Sequence, residues 1–107
     1  MNLLDLKHLT DQRWDNELIP RLVEYVKVPA KSPGFDASWA AHGFLQQVVK
    51  EAFAWGQAQQ IAGLAIEIVA LDGKTPCIFF DVPASGGLGN AKTVLFYGHL
   101  DKQPEMV

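Results

Sequence analysis

The sequence is poor in cysteine and in long apolar runs, and it carries no excess of positive charge. Its one cysteine, Cys77, excludes a disulfide within the chain. The longest apolar stretches span a few residues, as at 94–97, whereas a membrane-spanning helix needs ~20. Nine Lys and Arg stand against twelve Asp and Glu, a net charge of −3. These features argue against nucleic acid or a membrane as the main partner.

The composition is that of one folded domain. Apolar residues make up 49% and charged residues 20% of the 107 residues, which is typical of soluble globular chains. The segment 1–9 has Asp5 inside its short apolar run and lacks a small-residue cleavage site, so no secretory signal is predicted. A cytoplasmic protein with a single domain over 1–107 is therefore expected. Cys77 lies in the apolar run 76–80, which predicts a core position for it.

Two helices are predicted in the first half of the chain. The first covers residues 11–27, where apolar residues recur at helical spacing: Leu18, Leu22, Tyr25 and Val26. Pro20 predicts either a kink or a true helix start near Ile19, because proline lacks the backbone donor that a helix interior uses. A loop rich in Pro, Gly and Ser follows, and a second amphipathic helix is predicted over 37–59.

The hydrophobic pattern changes to a period of about 2 after the second helix. Strands are predicted at 64–70 and 75–82, joined by an Asp72-Gly73 turn of the kind that hairpins favour. The continuous apolar run at 93–97 predicts a third strand covered on both faces. Two helices followed by three strands predict an α/β or α+β fold, with the helices packed on one twisted sheet.

Residues whose side chains suit catalysis or metal binding are concentrated just after the last predicted strand. Gly98, His99 and Asp101 follow it, and ligands in open α/β sheets bind beyond the carboxyl ends of strands. Gly98 permits a close approach of a ligand or of another backbone. In an extended chain His99 and Asp101 share one side, so the carboxylate can orient a histidine that binds a metal. The alternative is an ordinary surface turn, because one ligand does not make a zinc site.

The run Tyr97-Gly98-His99-Leu100-Asp101-Lys102-Gln103-Pro104 resembles the first metal-binding motif of the dizinc aminoacylase/carboxypeptidase G family of metallopeptidases. Its Gln103-Pro104 ending is most similar to the carnosinase-type dipeptidase branch. The upstream order is also similar, with an early helix, a Pro-Ser-Pro-type loop at 28–33, a second helix and a hairpin. The resemblance covers residues 11–107, and its specific core is the run 97–104.

This resemblance implies a role for each residue of the pair. His99 would be a zinc ligand, and Asp101 would be the catalytic carboxylate that orients a metal-bound histidine. The complete enzyme would hold two zinc ions and would hydrolyse dipeptides or N-acyl amino acids with metal-activated water. The implied fold is a partial three-layer αβα sandwich, with two helices on a three-stranded mixed sheet that begins a larger catalytic domain.

The remaining parts of such a site are expected beyond Val107. The chain contains no Glu-Glu pair to supply the family's glutamate base. The Asp that bridges the two zinc ions in the family, and the other metal ligands, are likewise expected beyond Val107. Residues 1–107 alone are therefore expected to be inactive, with at most one partial zinc site. The alternative is a non-catalytic chain that acts only by association with a partner chain or a second copy, because an unpaired sheet edge favours association.

Overall fold

The computed structural model describes residues 2–87, 89 and 91–106. The predicted domain 1–107 and the loop before the third predicted strand also include positions 1, 88, 90 and 107, which lie outside the described residues. The mixed helix-and-strand class is confirmed. The elements are α1 (Leu3–Arg13), a π-helical turn (Trp14–Leu18), α2 (Ile19–Lys27), α3 (Trp39–His42), α4 (Phe44–Ala58), β1 (Ala65–Val69) and β2 (Cys77–Asp81).

The first helix begins at Leu3, so its predicted start at residue 11 is wrong. Asn2 caps it: its side-chain oxygen accepts a hydrogen bond from the Asp5 backbone N–H at 2.9 Å. The Asp5 carboxylate accepts one in return from the Asn2 N–H. This reciprocal pair satisfies backbone donors that have no partner within the helix. An Asn followed three residues later by an acidic residue was the available sequence signal.

The helical chain passes Pro20 by widening the turn before it. Residues Trp14–Leu18 form a π-helical turn, in which the Ile19 N–H donates to the Trp14 carbonyl. Helix α2 then starts at Ile19 with Pro20 in its first turn, as one of the two predicted outcomes has it, but the residues before Ile19 are helical as well, so Ile19 is not the start of the whole helical segment. Because proline clashes with the carbonyl four residues earlier in a regular helix, the wider turn relieves that conflict.

The predicted helix 37–59 is divided into α3 and α4 by Gly43. This glycine has a φ of +72°, in the left-handed region, which glycine adopts at little cost and which ends a helix. Helix α4 carries the larger part of the buried surface, at Leu45, Val48, Val49 and Gly56. The single-helix prediction failed because amphipathic spacing continues across the break.

Strands β1 and β2 form an antiparallel hairpin in which Ala65 lies opposite Asp81 and Val69 opposite Cys77. The Asp72-Gly73 turn predicted from the sequence is confirmed: Gly73 has a φ of +67°, and the turn is closed by a 3.0 Å hydrogen bond between Lys74 and Leu71. One face of the hairpin packs against α4, so the helix and the two strands form two layers.

The strand predicted at 93–97 does not form in the described part of the chain. These residues are irregular, and the described strands are β1 and β2 alone. The side chains of 94–97 are between 72% and 93% exposed. A strand needs a neighbouring strand to pair its backbone groups, and a run of apolar residues cannot supply one. The observed sheet is therefore two-stranded.

The core is small and the molecule is elongated. Val28, Ala30, Leu45 and Val48 are its buried centre, with partly buried side chains packed around them: Tyr25, Trp39, Phe44 and Leu100. The radius of gyration is 17.0 Å, against about 13 Å for a compact domain of this length. Much apolar surface of α1 and of segment 93–97 is exposed as a result.

Cys77 is exposed, so its predicted core position is wrong, because successive strand residues alternate between the two faces and the partly buried position is that of Ile78. Its strand neighbour Ile78, on the opposite face, is partly buried. Among the described helices, none has both the length and the apolar character needed to cross a bilayer.

Replacement of Gly56 by Ala is expected to destabilise the fold. A Cβ at Gly56 would lie 2.6 Å from Cε1 of Phe80 and 2.9 Å from Cδ1 of Ile66, so these side chains, or the hairpin that carries them, must shift. Overpacking of this kind costs about 1–3 kcal/mol, which offsets the gain of about 1 kcal/mol from alanine's helix propensity.

The matched control for this substitution is Gly34→Ala, where a Cβ would meet no heavy atom within 4 Å. Urea unfolding of both variants checks the prediction. A Gly56→Ala protein that is more stable than the wild type by the full helix-propensity gain of about 1 kcal/mol would show that α4 and the hairpin are not in close contact.

Candidate functional site

The segment that carries His99 and Asp101 is attached to the core through its central residues. Leu100 packs on the core. Lys102 forms a parallel β-bridge with Lys31: its N–H donates to the Ala30 carbonyl at 2.9 Å, and its own carbonyl accepts from the Ser32 N–H at 2.9 Å. Ala30 is 0% exposed, so this attachment point lies inside the protein.

The side chain of Lys102 caps the C-terminal end of α2. Its ammonium donates to the carbonyl of Tyr25 and, at 2.5 Å, to that of Val28. It also lies 3.9 Å from the centre of the Tyr25 ring. Carbonyls at the end of a helix lack partners within it and carry partial negative charge. Burial lowers the pKa of Lys102 from its usual 10.5, and the charge of Glu51 opposes that shift.

Tyr25 makes a second attachment to the same segment. Its hydroxyl donates to the carbonyl of Leu100 at 2.6 Å. Burial, and to a smaller extent the negative charge of Asp101, raises the pKa of Tyr25 above 10.0. The phenol therefore stays protonated near neutral pH and can act as the donor in this hydrogen bond.

The structure brings His99 and Asp101 into direct contact, as their spacing predicted. Nδ1 of His99 lies 2.9 Å from Oδ1 of Asp101 and 2.9 Å from the Asp101 carbonyl oxygen. A carboxylate and a carbonyl only accept hydrogen bonds, so Nδ1 carries the proton. In the neutral ring Nε2 is then the bare nitrogen with a free lone pair. The His99 side chain is 70% exposed, so a ligand can reach it.

This arrangement fits one ligand position of a zinc site. A metal-binding histidine commonly donates its other ring N–H to a carboxylate, which fixes the ring and raises the basicity of the ligand nitrogen. Within residues 2–87, 89 and 91–106, no group of three or more His, Cys, Asp or Glu side chains could hold a metal ion. A hydrolytic zinc site uses three protein ligands, so the described residues do not make a whole site.

Two cavities border the pair. One, of about 310 Å³, lies between α2 and α4 and is lined mainly by apolar side chains, with His99 and Leu100 at its edge. The other, of about 340 Å³, lies between α4 and the start of β2 and includes residues 97–101 in its wall. A Cβ at Gly98 would meet no heavy atom within 4 Å, so the close approach expected there does not occur in the described part.

A second histidine–carboxylate pair, missed in the sequence, lies away from this site. Nδ1 of His42 is 2.7 Å from Oδ2 of Asp36, and Oδ1 of Asp36 accepts a 3.1 Å hydrogen bond from the Ser38 N–H. The hydrogen bond from His42, more than any other contact, lowers the pKa of Asp36 below 3.8. The pair links the turn before α3 to the end of α3, and no third ligand joins it among the described residues.

The attachment made by Tyr25 and Lys102 was also missed. Both residues were visible in the sequence, Tyr25 as part of an apolar helix face and Lys102 as part of the motif. Nothing local links a tyrosine in the first helix to a lysine near the other end of the chain, so only the folded structure reveals the contact.

No protein-family model matches this chain, and a search of curated proteins finds no match. The resemblance of the run 97–104 to a metallopeptidase motif therefore stands on those residues and on the order of elements before them. A function has to be inferred from the geometry of His99, Asp101 and their neighbours.

Replacement of His42 by Gln is expected to lower stability at neutral pH and to lose this effect in acid. The lowered pKa of Asp36 means that its stabilising contribution is present above the unfolded-state value of 3.8 and is lost as the pH falls through the lower folded-state value. Urea midpoints of variant and wild type across this range measure the effect.

His8→Gln is the control, because His8 lies on the exposed helix α1. If the two variants lose the same stability at neutral pH, the Asp36–His42 pair contributes nothing and the prediction is wrong.

Proposed function

We propose that this chain supplies His99 as a zinc ligand and Asp101 as the carboxylate that orients it, in a zinc-dependent hydrolase of dipeptides or N-acyl amino acids. The supporting observation is the 2.9 Å contact between His99 Nδ1 and Asp101 Oδ1, which leaves Nε2 as the donor for a metal. The substrate class rests on the resemblance of the run 97–104 to the metallopeptidase motif.

Each residue has a separate task in this proposal. His99 presents a neutral Nε2 at an exposed position. Asp101 accepts the Nδ1 proton, fixes the tautomer and makes Nε2 more basic. Zinc, when bound, supplies Lewis-acid chemistry that polarises an amide carbonyl and lowers the pKa of bound water. The second zinc ion, the general base and the other ligands are assigned to residues beyond the described set.

The proposal includes a larger fold than the two layers observed. Residues 93–97 would become a third strand, and the helices and sheet would become part of a three-layer αβα sandwich. The support is the apolar character of the run together with its exposure of more than 70% at each of residues 94–97. Burying such side chains between layers gives about 1.5–3 kcal/mol for each one, which favours a covered position.

A second candidate function is that of a non-catalytic subunit acting through a partner chain. The same exposed run at 93–97 favours it, because unpaired apolar segments promote association. The two candidates differ in zinc binding: a ligand at His99 is required by the first and irrelevant to the second.

The isolated chain is expected to bind zinc weakly and to have no peptidase activity. Its described residues offer His99 with one supporting carboxylate, whereas a hydrolytic site needs three protein ligands and a carboxylate base in reach of the attacking water. Calorimetric titration with zinc and a dipeptide hydrolysis assay check this. Tight stoichiometric binding, or turnover lost in His99→Ala, would reveal a ligand set within the chain.

Weak zinc binding, where it occurs, is expected to be located at His99. Nitrogen NMR of the histidine rings during a zinc titration should show perturbation of His99 Nε2 before the rings of His8 and His42. Asp101→Asn should weaken the effect about 10–100-fold, as is typical for a group that supports a metal ligand. His8→Ala is the control that keeps the signal. Equal perturbation of all three rings would contradict the proposed site.

A further inference from the structure

We infer that Lys102 and Tyr25 are positioning residues, which together hold the His99–Asp101 pair in the geometry of a metal ligand and its supporting carboxylate. This inference rests on the proposed function in one respect, namely that His99 is a metal ligand. The hydrogen bonds that define the positioning are properties of the chain itself.

The two residues secure both sides of Asp101. On one side, the Tyr25 hydroxyl holds the carbonyl of Leu100 at 2.6 Å. On the other, the Lys102 ammonium is held by the carbonyls of Tyr25 and Val28. The backbone of Asp101 is thus fixed between two attachments to one helix end. His99 Nδ1 bonds to the carbonyl and the carboxylate of Asp101, so the attachments also set the position of the imidazole.

The packing of Leu100 on the core also holds this segment, but it places no hydrogen-bonding group of Asp101, and few other contacts are present. The preceding residues 93–97 are unpaired and exposed in the described chain. Beyond Lys102, Glu105 reaches Lys31 at 3.2 Å, but its side chain is largely exposed, and surface ion pairs contribute little order. The other contact is the backbone bridge between Lys102 and residues 30–32. This bridge attaches to the loop that directly follows Val28, whose carbonyl accepts a hydrogen bond from the Lys102 ammonium.

Lysine suits position 102 because of the hydrogen-bonding groups that surround its ammonium. A partly buried ammonium needs partners for its donors. The carbonyls of Tyr25 and Val28 each accept one backbone N–H, from Val28 and Ala30, and the second lone pair of each oxygen accepts from the Lys102 ammonium. The face of the Tyr25 ring, 3.9 Å away, adds a favourable interaction with the cation. Methionine has a similar shape but no donor, so Lys102→Met would remove the side-chain hydrogen bonds to the carbonyls of Tyr25 and Val28 and leave their backbone hydrogen bonds in place.

The test compares four variants of the full chain by nitrogen NMR of the His99 ring, first without zinc and then with zinc chloride as the probe. Lys102→Met and Tyr25→Phe each remove one attachment, and Lys102→Arg keeps the charge and the donors. Lys74→Met is the matched control, because Lys74 is an exposed lysine in the hairpin turn. Urea unfolding monitors the stability of every variant.

The wild type and Lys74→Met are expected to show His99 with its proton on Nδ1. Lys102→Met and Tyr25→Phe should show exchange between the two tautomers and a zinc response weakened about tenfold or more, the usual effect of losing support for a ligand. Lys102→Arg should recover part of the wild-type tautomer preference. A general loss of stability would not by itself change which nitrogen carries the proton in the molecules that remain folded.

The inference is overturned if Lys102→Met and Tyr25→Phe keep the wild-type tautomer and zinc response. If Lys102→Met does not fold, Tyr25→Phe, which removes a single hydroxyl, decides. The proposed function fails separately: zinc would then leave His99 unperturbed in the wild type, while the tautomer would still depend on Lys102 and Tyr25.

Discussion

The ammonium of Lys102, held by carbonyls at the C-terminal end of α2, is the interaction on which the candidate site depends. It connects the segment after the apolar run 93–97 to the first helix, and through Val28 and Ala30 to the small core. Without a neighbouring strand, the segment has no ladder of backbone hydrogen bonds to place it. The Lys102 ammonium, the Tyr25 hydroxyl and the β-bridge between Lys31 and Lys102 fix the position of the segment, as hydrogen bonds to neighbouring strands do in a sheet.

The fold that results is two layers over a small buried centre, with much of the apolar surface left exposed. Helix α4 packs on one face of the β1–β2 hairpin, and Gly56 allows the close contact there. The opposite face of the hairpin and the residues 94–97 are exposed. Apolar surface of this extent is typical of a region that another layer or another chain covers, which is why both candidate functions involve further protein.

The sequence predicted those elements that depend on local physics. The Asp72-Gly73 turn and the start of α2 at Ile19 follow from the conformational preferences of glycine and proline, and both are observed. The break at Gly43 was missed because amphipathic spacing continues through it. The strand at 93–97 was predicted from composition, but strand formation requires a neighbour that composition does not provide.

The candidate site also has one part that was predictable from the sequence and another part that was not. The contact between His99 and Asp101 was predictable, because residues two apart in an extended chain lie on one side. The roles of Tyr25 and Lys102 were not, because the residues meet only after α2 and the last segment have come together. The Asp36–His42 pair was missed for a related reason: the two residues meet only because the turn at Ser38 and the short helix α3 form between them.

The most direct test of the account is anomalous diffraction from zinc-soaked crystals of the chain. A zinc ion is expected about 2.0–2.1 Å from Nε2 of His99, the usual distance for zinc bound to histidine, with Asp101 still bonded to Nδ1. Zinc at Nδ1 of His99, or at the Asp36–His42 pair with none at His99, would contradict it.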